Sequence, residues 1–278
     1  MQNVTVVGLG IIGKAWAKNL HDDGLNVRAW NRTPQPDLPY FEPDLEKAVA
    51  DAEAIIIVVA DPPAVENILK VIVPVLKTGQ LVIQSSTISA HWTLEFAKKV
   101  EGAGGRFLEA PFTGSKLAAE ARKTVFYLGG PPAIIEVARP LLQRISSTLL
   151  HVGELGSASS LKLAMNLNIA VMCAGLSEAL ALVRSQGISD NTFFDALHIN
   201  VGRSGFSDLK EPKFRARDYS PQFSLKHLDK DLRLALETSG DLSLPVTEAL
   251  KYFYESGLEA GYGDDDFTGM MRLIEPTV

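Results

Sequence analysis

Apolar residues fall in short continuous runs through the first half of the chain and at helical spacing through the second, with the change near residue 156. The runs Val4–Val7, Asn26–Trp30, Ala54–Val59, Leu81–Gln84 and Arg106–Glu109 predict strands of a parallel sheet, mostly apolar because such a sheet is covered on both faces. Helical patterns near Ile12–His21, Leu45–Ala50, Ala64–Leu76 and His91–Val100 lie between them. Pro62-Pro63 marks one helix start and Ser89 caps the next. Two further runs, Thr124–Leu128 and Thr148–Val152, flank a helix near Pro132–Ile145 and complete the sheet. This alternation predicts a doubly wound α/β domain with right-handed crossovers over residues 1–156.

From 157 to 278 no run reads as a strand, so the second domain is expected to be all-α. Ser157 or Ser159 caps a long helix that Gly187 stops near Gln186, and further helices are expected over Asp190–Ile199, Pro221–Glu237, Leu244–Gly257 and Asp264–Leu273. Within the long helix, Leu161–Val183 is apolar enough to raise a membrane span. It carries Lys162, Asn166, Asn168, Ser177 and Glu178, groups too costly in lipid for a simple one. A helix apolar nearly all round is instead expected to be buried on most sides, partly by a second copy in a homodimer or homotetramer.

The first strand runs straight into Gly8-Leu9-Gly10-Ile11-Ile12-Gly13, a G-x-G-x-x-G turn opening a helix. Gly8 permits the tight turn, Gly10 lets the main chain approach a pyrophosphate, and Gly13 lets the helix sit close on the strand. Free N–H groups at the helix start then face the anion. The first domain is therefore expected to be of Rossmann type. At the end of the second strand, where an acid would favour a ribose 2′-hydroxyl, the chain has Asn31-Arg32-Thr33. Arg32 is suited to a 2′-phosphate, so NADP is expected over NAD.

A net charge of -6 without a polybasic block gives no nucleic-acid surface, although a local field can still receive an anionic substrate. The single Cys173 allows no internal disulfide and reads as a packing residue of a reducing compartment. Met1-Gln2-Asn3 leads directly into the first strand, so no signal peptide is read and a cytoplasmic protein is expected.

Lys162 and Asn166, four apart on the long helix, share one face. They are expensive to bury unless something polar receives them; the alternative is a lysine snorkelling to solvent. Glu109-Ala110-Pro111-Phe112-Thr113-Gly114-Ser115 and Ser85-Ser86-Thr87 each follow the carboxyl end of a strand, where α/β sheets place ligands. Thr113, Ser115 and the N–H groups around Gly114 are candidates for a carboxylate, or else a turn or cap. Phe223, Lys230 and Asp231 fall on one stripe of a helix begun by Ser220-Pro221. None of the five histidines has metal-ligand spacing, so no metal is expected.

Together these segments resemble the β-hydroxyacid dehydrogenase family, relatives of 3-hydroxyisobutyrate and 6-phosphogluconate dehydrogenases, across nearly the whole chain. The resemblance rests on the glycine loop with Asn31-Arg32, on Glu109 to Gly114, on Gly153-Glu154-Leu155-Gly156 leading to Lys162 and Asn166, and on Leu228-Asp229-Lys230-Asp231-Leu232. Gly114-Ser115-Lys116 and Phe223-Ser224-Leu225-Lys226-His227 resemble its glyoxylate and succinic semialdehyde reductase branch. The resemblance implies reduction of a small aldehyde or keto acid by NADPH, with Lys162 as proton donor held by Asn166. It implies a substrate pocket of Thr87, Thr113, Gly114, Ser115, Phe223 and Asp231. Cofactor contacts implied beyond the glycine loop and Asn31 to Thr33 are Val59, Ala60, Thr87 and Lys230. Three departures stand out: Phe112-Thr113 replaces the usual Val-Ser, Ala121-Arg122-Lys123 replaces a segment that usually has a glycine, and Met165 replaces the first of two asparagines. An imine reductase, an enzyme working in the oxidative direction and a non-catalytic NADP-binding sensor are the competing readings; Lys162 argues against the first.

Overall fold

Val4, Val6 and Ala54 to Ile57 are almost completely buried, because the sheet they build is covered on both faces. In the computed structural model, which describes residues 1–275, the strands are β1 (Asn3–Val7), β2 (Asn26–Trp30), β3 (Ala54–Ile57), β4 (Leu81–Gln84), β5 (Arg106–Glu109), β6 (Phe112–Thr113), β7 (Thr124–Gly129) and β8 (Ser146–Gly153). Their order is β2-β1-β3-β4-β5-β7-β6, with β8 on β7. β1 to β5 pair in parallel, as do β7 and β8, while β7 runs antiparallel to β5 and β6. The interleaved helices are α1 (Ile11–Asp22), α2 (Leu45–Val49), α3 (Pro62–Ile72), α4 (Ala90–Gly102), α5 (Lys116–Glu120) and α6 (Pro132–Leu142). On one face Trp16 and Leu20 of α1 and Ile135 and Leu142 of α6 belong to one buried cluster with Val4 and Val6 of β1 and Leu108 of β5. On the other, Val65 and Leu69 of α3 and Phe96 and Val100 of α4 belong to a second buried cluster with Val7, Ile55, Ile57 and Phe107. Each fully buried aliphatic side chain of this kind contributes about 1.5–3 kcal/mol.

After β8 the chain is helical: α7 (Ser157–Ser185), α8 (Asp190–His198), α9 (Gly205–Ala216), α10 (Leu225–Ser239), α11 (Pro245–Glu259) and α12 (Met271–Ile274), preceded by a 3₁₀ turn over Phe267–Met270. The architecture is a Rossmann-type α/β domain followed by an all-α region. By internal contacts the chain divides into Met1–Leu163 and Ala164–Val278. The second unit has its own core of Leu180, Phe194, Phe214, Leu228, Leu232, Tyr254 and Met270. Cys173 lies in it with its thiol pushed up to about 12 by burial, as befits a packing residue.

The structure corrects several expectations. α10 begins at Leu225, with Ser224 as the preceding residue, and not at Ser220-Pro221. The Asp266 carboxylate takes the N–H groups of Gln222 (2.9 Å) and Phe223 (3.2 Å), which holds that segment out of the helix. Phe223 therefore does not share a helical stripe with Lys230 and Asp231. Residues 264–266 are not helical either, since Asp266 caps the 3₁₀ turn. Neither Ser157 nor Ser159 precedes α7 as a cap; both lie inside the helix. Within this chain a third of the most apolar window of α7 is buried, and the expected burial on most sides included cover by a second copy. β6, α5 and α9 were not foreseen.

Within the Ala121-Arg122-Lys123 segment, Arg122 adopts the left-handed conformation that glycine favours, with φ of 59°. Its guanidinium offsets that strain by donating to Asp23 Oδ2 (2.8 Å) and to the carbonyls of Arg144 (2.9 Å) and Asn19 (3.2 Å). The bulk of Phe112 is likewise absorbed: its ring packs edge-on against Trp16 at 4.8 Å, on the opposite side of the strand from Thr113.

Candidate active site

The glycine loop separates two demands. Gly8 has φ of 105°, and a Cβ there would lie 2.2 Å from Val58 O; a Cβ on Gly13 would lie 1.9 Å from Gly8 O. Both are required by the fold. Gly10 is different: it precedes α1 in extended conformation, has no side-chain cap bond, and a Cβ on it would meet nothing within 4 Å. A concave backbone with uncapped N–H groups at a helix start fits a pyrophosphate. It lies between β1 and β3, where the strand order reverses, the place open α/β sheets bind ligands.

The loop is braced from within. Leu9 is buried, its N–H donates to Asn31 Oδ1 (2.9 Å), and its carbonyl accepts from Gln35 Nε2 (3.0 Å). Asn31 Nδ2 donates to Thr33 O at 2.8 Å, so this side chain ties the loop to the end of β2. Ile12 packs on the core, whereas Ile11 is exposed. Arg32 and Thr33 are exposed, and among the described residues no acid pairs with the Arg32 guanidinium. At the end of β3, Val59 is half-buried and donates its N–H to Ser86 Oγ (2.8 Å), while Ala60 is exposed. Gln84 completes this bracket, accepting from Ser86 N and donating to Ser86 O. Gln84 was missed in the sequence, where it read only as the end of a strand.

Beyond β4 and β5 lie the loops with hydroxyl groups. Thr87 is half-buried, as are Thr113 and Ser115. Ser115 precedes α5 without using its hydroxyl as a cap, and Gly114 has φ of 141°. Glu109, which the sequence reading passed over as the first residue of this loop, is fully buried. Its Oε2 accepts from Gly156 N (2.8 Å) and its Oε1 from Ser159 N, so a carboxylate from the sheet serves the first turn of α7. Burial raises its carboxyl above the ordinary range, against the pull of Ser159, Gly156 and Ala158. Lys162 follows one turn later and is buried, not snorkelling.

In the second unit, the buried Asn166 donates from Nδ2 to Asp231 Oδ2 at 2.6 Å. Asp231 Oδ1 also faces Lys230 Nζ at 2.8 Å. These three residues thus form one network on α7 and α10. Phe223, half-buried, stacks edge-on with Phe267 at 5.8 Å, its backbone fixed by Asp266. Asp266 is itself buried and paired with the buried Lys210 at 2.9 Å. No group of three or more His, Cys, Asp or Glu side chains among the described residues forms a metal site.

The likeness to known proteins follows this division. Residues 3–153 match the NAD-binding domain of 6-phosphogluconate dehydrogenase, and residues 156–274 match the domain described as NAD-binding of NADP-dependent 3-hydroxyisobutyrate dehydrogenase. Glyoxylate/succinic semialdehyde reductase 1 of Arabidopsis thaliana is 30% identical over 98% of each chain. 2-(Hydroxymethyl)glutarate dehydrogenase of Eubacterium barkeri is 27% identical over 97% of this chain and 93% of its own. Among solved structures, 3-hydroxyisobutyrate dehydrogenase of Mycobacterium tuberculosis superposes with a TM-score of 0.89 at 24% identity, covering 99% of this chain and all of that one. With a glycine cradle that fits a dinucleotide and a match along its full length, the chain belongs to the β-hydroxyacid dehydrogenase family and is an NAD(P)-dependent oxidoreductase.

Proposed function

We propose that the enzyme reduces a small, carboxylate-bearing aldehyde or keto acid of the glyoxylate or succinic semialdehyde type, with NADPH as the reductant and Lys162 as the proton donor. The observation that carries this reading is a buried lysine one helical turn before a buried asparagine whose amide is fixed by Asp231. When bound, the reduced nicotinamide supplies a hydride. Negative charge developing on the substrate oxygen then needs a donor, and the Lys162 ammonium gives first a hydrogen bond and then a proton. Because one Nδ2–H of Asn166 is committed to Asp231, its amide plane is set and its remaining polar atoms keep one direction. Thr87, Thr113, Ser115 and the N–H groups around Gly114 are the candidate donors for the substrate carboxylate. The relative from Arabidopsis thaliana, by its name, supports this substrate class.

The test is to follow NADPH and NADH oxidation against glyoxylate, succinic semialdehyde, methylmalonate semialdehyde and a cyclic imine. Turnover is expected with the carbonyl acids and NADPH; faster turnover of the imine, or none with any acid, defeats the proposal. Arg32, exposed and without an acidic partner among the described residues, carries the cofactor preference. Arg32→Ala is expected to weaken NADPH binding by about tenfold, the loss of a charge-assisted contact, and to leave NADH within about twofold. Equal losses for both would assign the arginine to the shared part of the dinucleotide.

A second copy of the chain is proposed to cover α7. Its open side lines an apolar hollow of about 460 Å³ with α8 and α9, including Met172, Leu176, Phe193, Leu197 and Phe206. Ile199 and Val201 nearby in sequence are almost entirely exposed. Light scattering is expected to return a multiple of the chain mass at micromolar concentration, and a monomer would refute this.

A further inference from the structure

We infer that Glu109 is a positioning residue for the proton donor: by holding the first turn of α7 with its buried carboxylate, it sets where Lys162 stands. The inference rests on the reading of Lys162 as that donor.

A helix start leaves N–H groups without intrahelical partners, and these are commonly met by a side chain of the residue just before the helix. Here that residue is Gly156, which has no side chain to offer, and the acceptor comes from the end of β5. The two oxygens of Glu109 take the N–H groups of Gly156 and Ser159, so the charge sits at the positive end of the helix dipole. The carboxylate is itself seated with little freedom. Gly129 of β7 is its antiparallel partner, and a Cβ on Gly129 would lie 2.1 Å from Glu109 Oε2. From α4, Thr93 Oγ1 and Ser159 Oγ meet at 2.8 Å, and a Cβ on Gly156 would approach Ala90 Cβ to 3.1 Å. The first turn of α7 is thus clamped to β5 and α4, and Lys162 follows Ser159 by three residues, on the neighbouring position of the same face. The sequence shows an acid where any residue could end a strand. The structure shows an acid whose two oxygens tie the helix start to the end of β5.

Displacement of a reacting group by about 1 Å can cost on the order of 10²-fold in rate. Glu109→Gln keeps the volume but leaves one acceptor oxygen and turns an NH₂ group toward an N–H. It is expected to lower kcat about tenfold with KM for NADPH within about twofold, and to raise the solvent isotope effect on kcat as proton delivery becomes slower. Hydrogen exchange of the amides at 156–159 is expected to speed up, a readout independent of turnover. Glu109→Asp, which retains both oxygens, is expected to recover part of kcat. Gly129→Ala displaces the carboxylate while leaving Glu109 in the sequence, and should reproduce the Gln phenotype if Glu109→Gln does not fold. Faster exchange at 156–159 with unchanged kcat and isotope effect in both variants overturns the inference, while inactivity of Lys162→Ala in the same experiment leaves the donor reading intact. If Lys162→Ala itself keeps its turnover, the donor reading fails and this inference with it.

Discussion

Lys162→Ala is expected to lower turnover by about 10²-fold or more while leaving NADPH affinity within about twofold. The lysine is buried on a helix start that the sheet holds through Glu109, and in the proposed mechanism its ammonium stands in place before the substrate arrives. General acid catalysis supplies about 10²–10⁴-fold, and the interaction strengthens as charge builds on the oxygen. kcat and kcat/KM should therefore fall together, the pattern of a contact made only in the transition state. Lys162→Met, closer in volume, separates the lost proton from the lost packing: it should be as slow as alanine with a smaller change in Tm. Steady-state kinetics with calorimetric NADPH binding decides the matter, and turnover close to wild type in either variant removes lysine from the mechanism.

The parts of this molecule that were legible in the sequence are those whose signal is local. Ala54 to Ile57 reads as a strand because a strand covered on both faces has no polar side to show. The glycine loop reads as a phosphate cradle because two of its positions, Gly8 and Gly13, answer steric demands of the fold and the third, Gly10, leaves open space before α1. What escaped was decided by distant partners. α9 was invisible to hydropathy because the positions it buries include Lys210 and Lys213, whose ammonium groups reach Asp266 (2.9 Å) and Ser220 O (2.6 Å). The start of α10 was misplaced because Asp266, more than 40 residues on, draws Gln222 and Phe223 away from the helix that Ser220-Pro221 would otherwise begin. The same holds at the candidate site. Lys162 and Asn166 stood out as polar residues on an apolar helix, whereas Glu109, Gln84 and Asp266 fix backbone groups and leave no periodic trace.

Two alanine substitutions three residues apart in the glycine loop should act in different ways. Gly13→Ala drives a methyl group to 1.9 Å from Gly8 O and 2.8 Å from Val58 Cγ1, so α1 must move off the sheet. Such overpacking costs about 1–3 kcal/mol, and at roughly 2–4 °C per kcal/mol the Tm of the free protein should drop by several degrees. Gly10→Ala meets nothing within 4 Å, and its φ of -68° and ψ of -167° suit any L residue, so the Tm of the free protein should stay unchanged. The added methyl instead enters the space reserved for the pyrophosphate, and NADPH affinity should fall by at least about tenfold, on the order of 1.4 kcal/mol. NADH should lose as much as NADPH, because the pyrophosphate is common to both, in contrast to the selective loss expected for Arg32→Ala. Calorimetry of both variants with both dinucleotides reads all four numbers. A Gly10→Ala protein that binds NADPH as the parent does would show that the open space before α1 is not where the phosphates lie.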